Sequence, residues 1–408
     1  MGGGAARAAY RLLQGERSIG INAQMLVQQS LLPLPFVTAP EKFHEKLLGR
    51  TAALLDRKAP LLLGPPPADY WSLCCFPAAI PQQVKRLSPD IVHLHWVGDG
   101  FLPIHELKRI PSPLVWTLHD SWAFTGGCHL PADCSRFRER CGSCPQLSSR
   151  KSADLSRWSW NRKYRAWHDL DLTVVSPSRW LADRARESSL FRARRIEVIP
   201  NGIDTAVFKP LDRQFARQAL NLPPNKKIIL TGSMDFDLER KGARELIEAI
   251  RLLPGALRDD AVLAVLGSSP RGFTGLPLES LCLETRHDDI AMALTYAAAD
   301  LYVHPSRQEN LSNMIMEAMA CGVPVVAFAI GGNGDMIDDR LTGRLVKPFD
   351  SGEFAECIQW VLEDEERRRT LAESSREKVC RDYDLQAIAS RYKKLYEDIL
   401  GSKRAGAP

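Results

Sequence analysis

The chain has 408 residues, 45% of them hydrophobic, and a formal net charge of +5. That is enough apolar material for two ordinary cores, while no apolar run approaches the roughly 20 residues that cross a bilayer and the N-terminus lacks the charged region and apolar core of a secretory signal, so a soluble α/β protein of two domains is expected. The charge is uneven, +9 over residues 1–205 and −4 over residues 206–408, which makes the first half the expected docking surface for an anionic partner.

In chain order, Gly2-Gly3-Gly4 ahead of Ala5–Tyr10 reads as a glycine-rich loop entering a helix, where small residues let the backbone approach phosphate; a flexible glycine tail is the alternative. Pro33–Pro67 is interrupted by loops, and Pro65-Pro66-Pro67 is irregular. Ile91–Trp96 alternates, placing His93 and His95 on one face of a strand, where a structural role is expected. The apolar strand Leu114–Leu118 delivers His119 at its carboxyl end, where α/β domains bind ligands; a lone histidine there is otherwise a structural residue. After Gly126-Gly127 a single loop carries Cys128, Cys134, Cys141 and Cys144. Its last pair is a C-x2-C half-site for zinc, and structural zinc, a disulfide or redox pair, and unligated thiols all remain open. Cys74, Cys75 and the other cysteines are expected in the core. Arg157–Trp167 interleaves cations with aromatics, as an amphipathic helix or an anionic-surface contact does.

Leu172–Ser176 and Ile196–Ile199 read as strands around a helix starting at Ser178, and Pro200-Asn201-Gly202 punctuates a boundary near residue 205. The second domain opens on the strand Lys227–Thr231 and continues through Ala261–Leu266, Leu301–Val303 and Val323–Phe328. Ala299–Val303 ends at Pro305-Ser306, which opens a loop holding Glu309. From Asn310 the apolar positions recur at helical spacing, until Gly322 stops the helix and Pro324 forbids continuation. Positions eight apart differ by about 80° around a helix, so Glu309 and Glu317 are predicted to line one side of a site that offers carboxylates to sugar hydroxyls and free N–H groups to phosphate. On their own, two glutamates at this spacing would be a solvated helix face. Asp235-Phe236-Asp237 has the form of a metal-binding D-x-D triplet, which is frequent by chance. Ser375–Leu400 is helical in pattern.

The segment Glu309–Val326 resembles the E-x7-E signature of family-4 retaining glycosyltransferases of the GT-B fold, with its tail Glu317-Ala318-Met319-Ala320-Cys321-Gly322-Val323-Pro324-Val325-Val326. Thr117-Leu118-His119-Asp120, Pro200–Asp204, Arg240-Lys241-Gly242 and Gly331-Gly332 follow the same family in order, so the resemblance covers nearly the whole chain. It implies two Rossmann-like domains facing across a cleft: residues 1–205 on the acceptor side with a Cys-rich insert at 126–146, residues 206–374 binding the nucleotide sugar, and residues 375–408 forming a helix that crosses back, and a tail. The insert, opening Trp122–Cys128, is similar to one in a subset of bacterial polysaccharide glycosyltransferases. The resemblance also implies a central strand ahead of Gly2, where this sequence has only Met1, and the expectation is a truncated reading frame.

For function, the resemblance implies a hexosyltransferase that moves sugar from a nucleoside-diphosphate sugar to a glycan or lipid-linked acceptor, in the bacterial cytoplasm or peripherally at the inner face of the membrane. It implies no catalytic cofactor and no nucleic-acid partner. His119 would contact the transferred sugar, Glu309 its hydroxyls and Glu317 the ribose. Gly3, Gly4, Asn310, Leu311, Gly331 and Gly332 would lie close to phosphate, and Lys241 would neutralise the diphosphate. An arginine commonly follows the glycine ending the second domain's first strand, whereas this chain has Gly232-Ser233, and Arg240 is the substitute. The alternatives are a sugar-nucleotide epimerase of similar fold and a non-catalytic partner subunit. A glycosidase using Glu309 and Glu317 as nucleophile and acid is disfavoured by the phosphate-directed features.

Overall fold

The computed structural model describes residues 3–30, 33–63, 66–77, 80–233, 235–267, 273, 275–284 and 288–405. The chain divides into two compact units, Met1–Pro200 with Ala389–Pro408, and Asn201–Ile388. In the first, β1 (Met25–Leu26) pairs with β2 (Val37–Thr38), while β3 (Val92–Leu94), β4 (Leu114–Thr117), β5 (Leu172–Ser176) and β6 (Arg195–Val198) lie side by side in that order, every pair parallel. All residues of β4 and β5 are buried, as parallel strands covered on both faces must be.

The helix Leu155–Trp167 supplies much of this unit's core. Trp160 and Trp167 are buried, and the Trp167 ring meets Trp116 edge-on at 5.3 Å. The same helix buries Lys163, whose Nζ donates to the carbonyls of Trp122 and Thr125 and lies 3.7 Å from the centre of the Trp122 ring. Arg165, Trp158 and Tyr164 are exposed, while Arg157 and Arg162 are half-buried.

The second unit is a six-stranded parallel sheet. Its strands are β7 (Lys227–Ser233), β8 (Ala261–Gly267), β9 (Glu279–Leu283), β10 (Leu301–His304), β11 (Val325–Phe328) and β12 (Gly343–Val346), in the order β12-β11-β10-β7-β8-β9. The chain leaves β7 toward β9, then returns to pair β10 on β7's other side, with Leu301 opposite Ile229. The β7–β10 junction is therefore a topological switch point, where open α/β sheets bind ligands at the carboxyl ends of their strands.

Several expectations are corrected. The helix after Glu309 runs Asn313–Ala320, because the Ser312 side chain accepts from the Ile315 N–H and caps it three residues later than the apolar spacing indicates. Glu309 lies in the preceding loop, as expected, but the helical angle between the two glutamates does not apply. At the start of the chain, the alanine-rich run carries the helix back to Gly3, giving Gly3–Ser18, so Gly3 and Gly4 belong to its first turn rather than to a loop. Within Pro33–Pro67 the Leu- and Ala-rich stretch forms the helix Phe43–Leu63. The closing segment is two helices, Glu365–Asp382 and Leu385–Ala405, with Asp384 accepting from the N–H groups of Gln386 and Ala387 to start the second. Gly2, Met1 and Pro65 lie outside the described residues. Among the described residues, no helix is long and apolar enough to cross a membrane.

Candidate functional site

In the second unit three loops meet at the switch point. Gly242 ends the first, Glu239-Arg240-Lys241, with φ +70°, and a Cβ there would overlap the carbonyl oxygen of Pro305 at the end of β10. The Arg307 N–H donates to the Arg240 carbonyl at 2.8 Å, tying the same two loops again. Gly331 has φ +50°, and a Cβ there would overlap the carbonyl oxygen of Glu309, while the Gly332 N–H donates to the Asn310 carbonyl at 2.8 Å. Both glycines are required by close approach as well as by backbone conformation.

This packing sets the charge at Glu309. Its Oε2 lies 3.7 Å from Lys241 Nζ and 3.4 Å from His304 Nε2. Burial alone would raise the carboxyl, but Lys241, His304 and the Asn310 N–H overcome it and hold Glu309 down at about 2. The site therefore holds an ionised carboxylate beside a cation. His304 is in turn positioned by the Tyr302 hydroxyl, 3.2 Å from its Nδ1. Glu317 is different: it is wholly buried in the helix, and its Oε2 accepts from the Tyr296 hydroxyl at 2.8 Å. Asn310 and Leu311 are buried in the turn between them. Ser233 and Asp235 close a local turn through the Ser233 hydroxyl, and Asp235 and Asp237 are exposed.

In the first unit His119 stands two residues beyond β4. Its Nε2 is 3.0 Å from His95 Nδ1, with the rings stacked. Burial pushes His119 down to about 4 and His93 to about 3, and holds His95 well below its usual value, so all three are neutral near pH 7. His93 belongs to a hydrogen-bonded chain in which Tyr396 donates to Glu16, and Thr117 joins His93 to Tyr392, the structural role expected for it. Asp120, next to His119, is held from three sides: His129 Nδ1 at 2.7 Å, the Trp96 indole at 2.8 Å and the Trp122 N–H at 2.8 Å. Burial alone would raise its carboxyl, but His129 and these donors bring it below the usual range.

Glycosyltransferase Family 4 matches residues 2–207, and Glycosyl transferases group 1 matches residues 212–378. The chain belongs to glycosyltransferase family 4. It is similar to D-inositol 3-phosphate glycosyltransferase of Mycobacterium tuberculosis, 34% identical over 311 residues that span 71% of this chain and 58% of that protein. Among solved structures, sucrose-phosphate synthase from Thermosynechococcus elongatus is 21% identical with a TM-score of 0.69, over 98% of this chain and 94% of that one. WaaG, a glycosyltransferase involved in lipopolysaccharide biosynthesis, gives 18% and 0.62 over 97% and 96%. Anabaena HepE in complex with UDP-glucose gives 21% and 0.58 over 79% and 82%. These likenesses establish the fold as GT-B, built from two Rossmann-like domains.

Of the residues singled out in this family 4 sequence, Lys241, Glu309, Asn310, Leu311, Gly331 and Gly332 come together in the second unit, and Arg240 joins them through its backbone. Glu317 sits beneath them in the core. His304 was missed, although it closes β10 much as His119 follows β4, a repeat visible in the sequence. His129 was also missed because its partner Asp120 precedes it by nine residues across a loop. As the side chains stand, no group of three or more His, Cys, Asp or Glu among the described residues is disposed to hold a metal ion.

Proposed function

We propose that this family 4 chain is a retaining hexosyltransferase that uses a nucleoside-diphosphate sugar and extends a bacterial polysaccharide or lipid-linked oligosaccharide. The observation that supports this best is the Lys241–Glu309 pair, 3.7 Å apart at the carboxyl ends of β7 and β10. An ionised carboxylate accepts hydrogen bonds from donor-sugar hydroxyls, and the adjacent ammonium offsets the charge that grows on the departing diphosphate.

In the proposed reaction the bond from the anomeric carbon to the phosphate oxygen breaks. The acceptor hydroxyl oxygen bonds to that carbon on the same face, and its proton passes to the leaving phosphate oxygen. Glu309 orients the sugar, Lys241 and the backbone of Asn310, Leu311, Gly331 and Gly332 attend the phosphates, and neutral His119 contacts the transferred sugar. The ribose role of Glu317 rests on its place in the motif. A cytoplasmic setting with peripheral contact to anionic lipid is part of the reading. Half-exposed Trp158 and Tyr164, with Arg162 4.7 Å above the Trp158 ring, fit that contact.

The test begins with thermal stabilisation across a panel of nucleotide sugars, UDP-glucose first because HepE is solved with it. A ligand at 100 times its dissociation constant adds about 2.7 kcal/mol. The stabilising donor is then supplied with lipid-linked and glycan acceptors. Retained configuration in the product is the expected result. Conversion of donor to a new nucleotide sugar without transfer would replace the reading with an epimerase, and no stabilisation by any nucleotide sugar would overturn it.

A further inference from the structure

The segment Thr125–Asp154 holds no regular structure beyond two three-residue 3-10 turns, Arg136–Arg138 and Pro145–Leu147. Yet Cys128, Phe137, Cys141, Cys144 and Leu147 within it are buried. Loops this long without helix or strand are uncommon in compact domains and are usually functional when ordered. Phe137 and Cys141 join the main core of the unit, while Cys128, Cys144 and Leu147 pack in a small satellite cluster with Trp71 and Leu73.

Cys128, Cys134, Cys141 and Cys144 all line one cavity, together with Trp71 and Arg136. No carboxylate or imidazole shares that lining, and none of the four cysteines is in a disulfide. One of the sulfurs, that of Cys141, already faces a hydrogen-bond donor. The Thr125 hydroxyl donates to the Cys128 carbonyl and the Leu147 N–H to the Cys144 carbonyl, fixing the backbone on either side, while the Gly126 N–H donates to Cys141 Sγ at 3.1 Å. An N–H on sulfur is the kind of donor that accompanies metal-bound thiolates, where it orients the sulfur and spreads its charge. Four thiolates on a dication leave a net charge of −2, and cations stand ready on the protein side. Lys163 binds the Thr125 carbonyl, the Arg157 guanidinium donates to the Cys141 carbonyl, and Arg136 lines the cavity.

We propose that Cys128, Cys134, Cys141 and Cys144 bind one structural zinc ion. A soft, all-sulfur set with a C-x2-C half-site selects zinc over hard cations, and its closed shell asks only for tetrahedral closure. The sulfurs do not yet converge on one point, so closure turns the cysteine side chains into the cavity they share, and binding releases the thiol protons as the four become thiolates. His129, directly after Cys128, is the residue that holds Asp120 beside His119, so the ion also anchors the segment that positions that pair.

The test is metal analysis of the full chain purified without chelator. About one zinc per chain is expected, and cobalt-grown protein should show the intense visible absorption of a tetrahedral cobalt–thiolate centre. Cys141→Ser and Cys144→Ser should lose the metal, while Cys282→Ser and Cys380→Ser, at exposed positions, should keep it. Should the first pair fail to fold, mercurial titration of the unaltered protein decides instead: zinc must leave as four thiols are modified. Protein that holds no zinc even after incubation with it, or that shows four fewer than its ten thiols in denaturant without reductant, overturns the proposal.

Discussion

Glu309→Gln removes one charge and little volume, so its effect isolates the ionised carboxylate. In the folded chain this group titrates at about 2 instead of the usual 4.5. At about 1.4 kcal/mol for each tenfold change in acidity, that preference amounts to roughly 3 kcal/mol. Because the folded value is depressed, the stabilisation is fully present above about 4.5 and is lost as pH falls toward 2. The glutamine, a mimic of the protonated acid that also leaves Lys241 without its partner, should lower unfolding free energy by about 2–3 kcal/mol at pH 7. The gap should narrow steadily between pH 4.5 and pH 3. Urea unfolding of both proteins at pH 7, 5, 4 and 3 measures it, and transfer assays at pH 7 should show a large loss of turnover with the fold intact. Equal stability of the two proteins at pH 7, or a gap that does not shrink with acidity, would refute the charge assignment, and full turnover would refute the site.

Lys241→Met should weaken binding of the stabilising nucleotide sugar by about 10- to 150-fold, the worth of one charge-assisted hydrogen bond of 1.5–3 kcal/mol; calorimetry reads it, and an unchanged affinity would remove Lys241 from the phosphate. Gly331→Ala must hold a left-handed backbone at about 1–2 kcal/mol and also displace the Glu309 carbonyl, so stability and donor affinity should fall together. An alanine variant of wild-type affinity would show that the clasp is dispensable. His93, His95 and His119 are kept neutral by burial, so the unfolded chain takes up protons that the folded chain refuses, and stability present above about pH 6.5 should decline as pH falls toward 4. His95→Gln should flatten the fall of thermal midpoint between pH 7 and pH 5; a parallel profile would argue against a buried neutral cluster.

Parallel strands were the most legible part of the chain. Leu114–Thr117, Leu172–Ser176 and Val325–Phe328 are covered on both faces, and such burial writes itself into composition. The glutamate loop, Lys241 and the two-glycine turn were legible as well, since each is a short local pattern whose residue types suit charged hydroxyl- and phosphate-bearing ligands. Where the helix after Glu309 begins was not, because apolar spacing marks a face while the Ser312 cap marks the first turn. Tertiary structure alone decided that Glu309 meets Lys241 and His304, residues 68 and 5 positions away in the chain. It also decided that Glu317 is sealed against Tyr296, that Asp120 is held by His129, and that the four cysteines of one loop line one cavity. The meeting of Lys241 and Glu309 depends on how a parallel sheet brings distant strand ends side by side, and the contacts within loops on how a loop folds back on itself; pattern along the chain carries no record of which groups become neighbours.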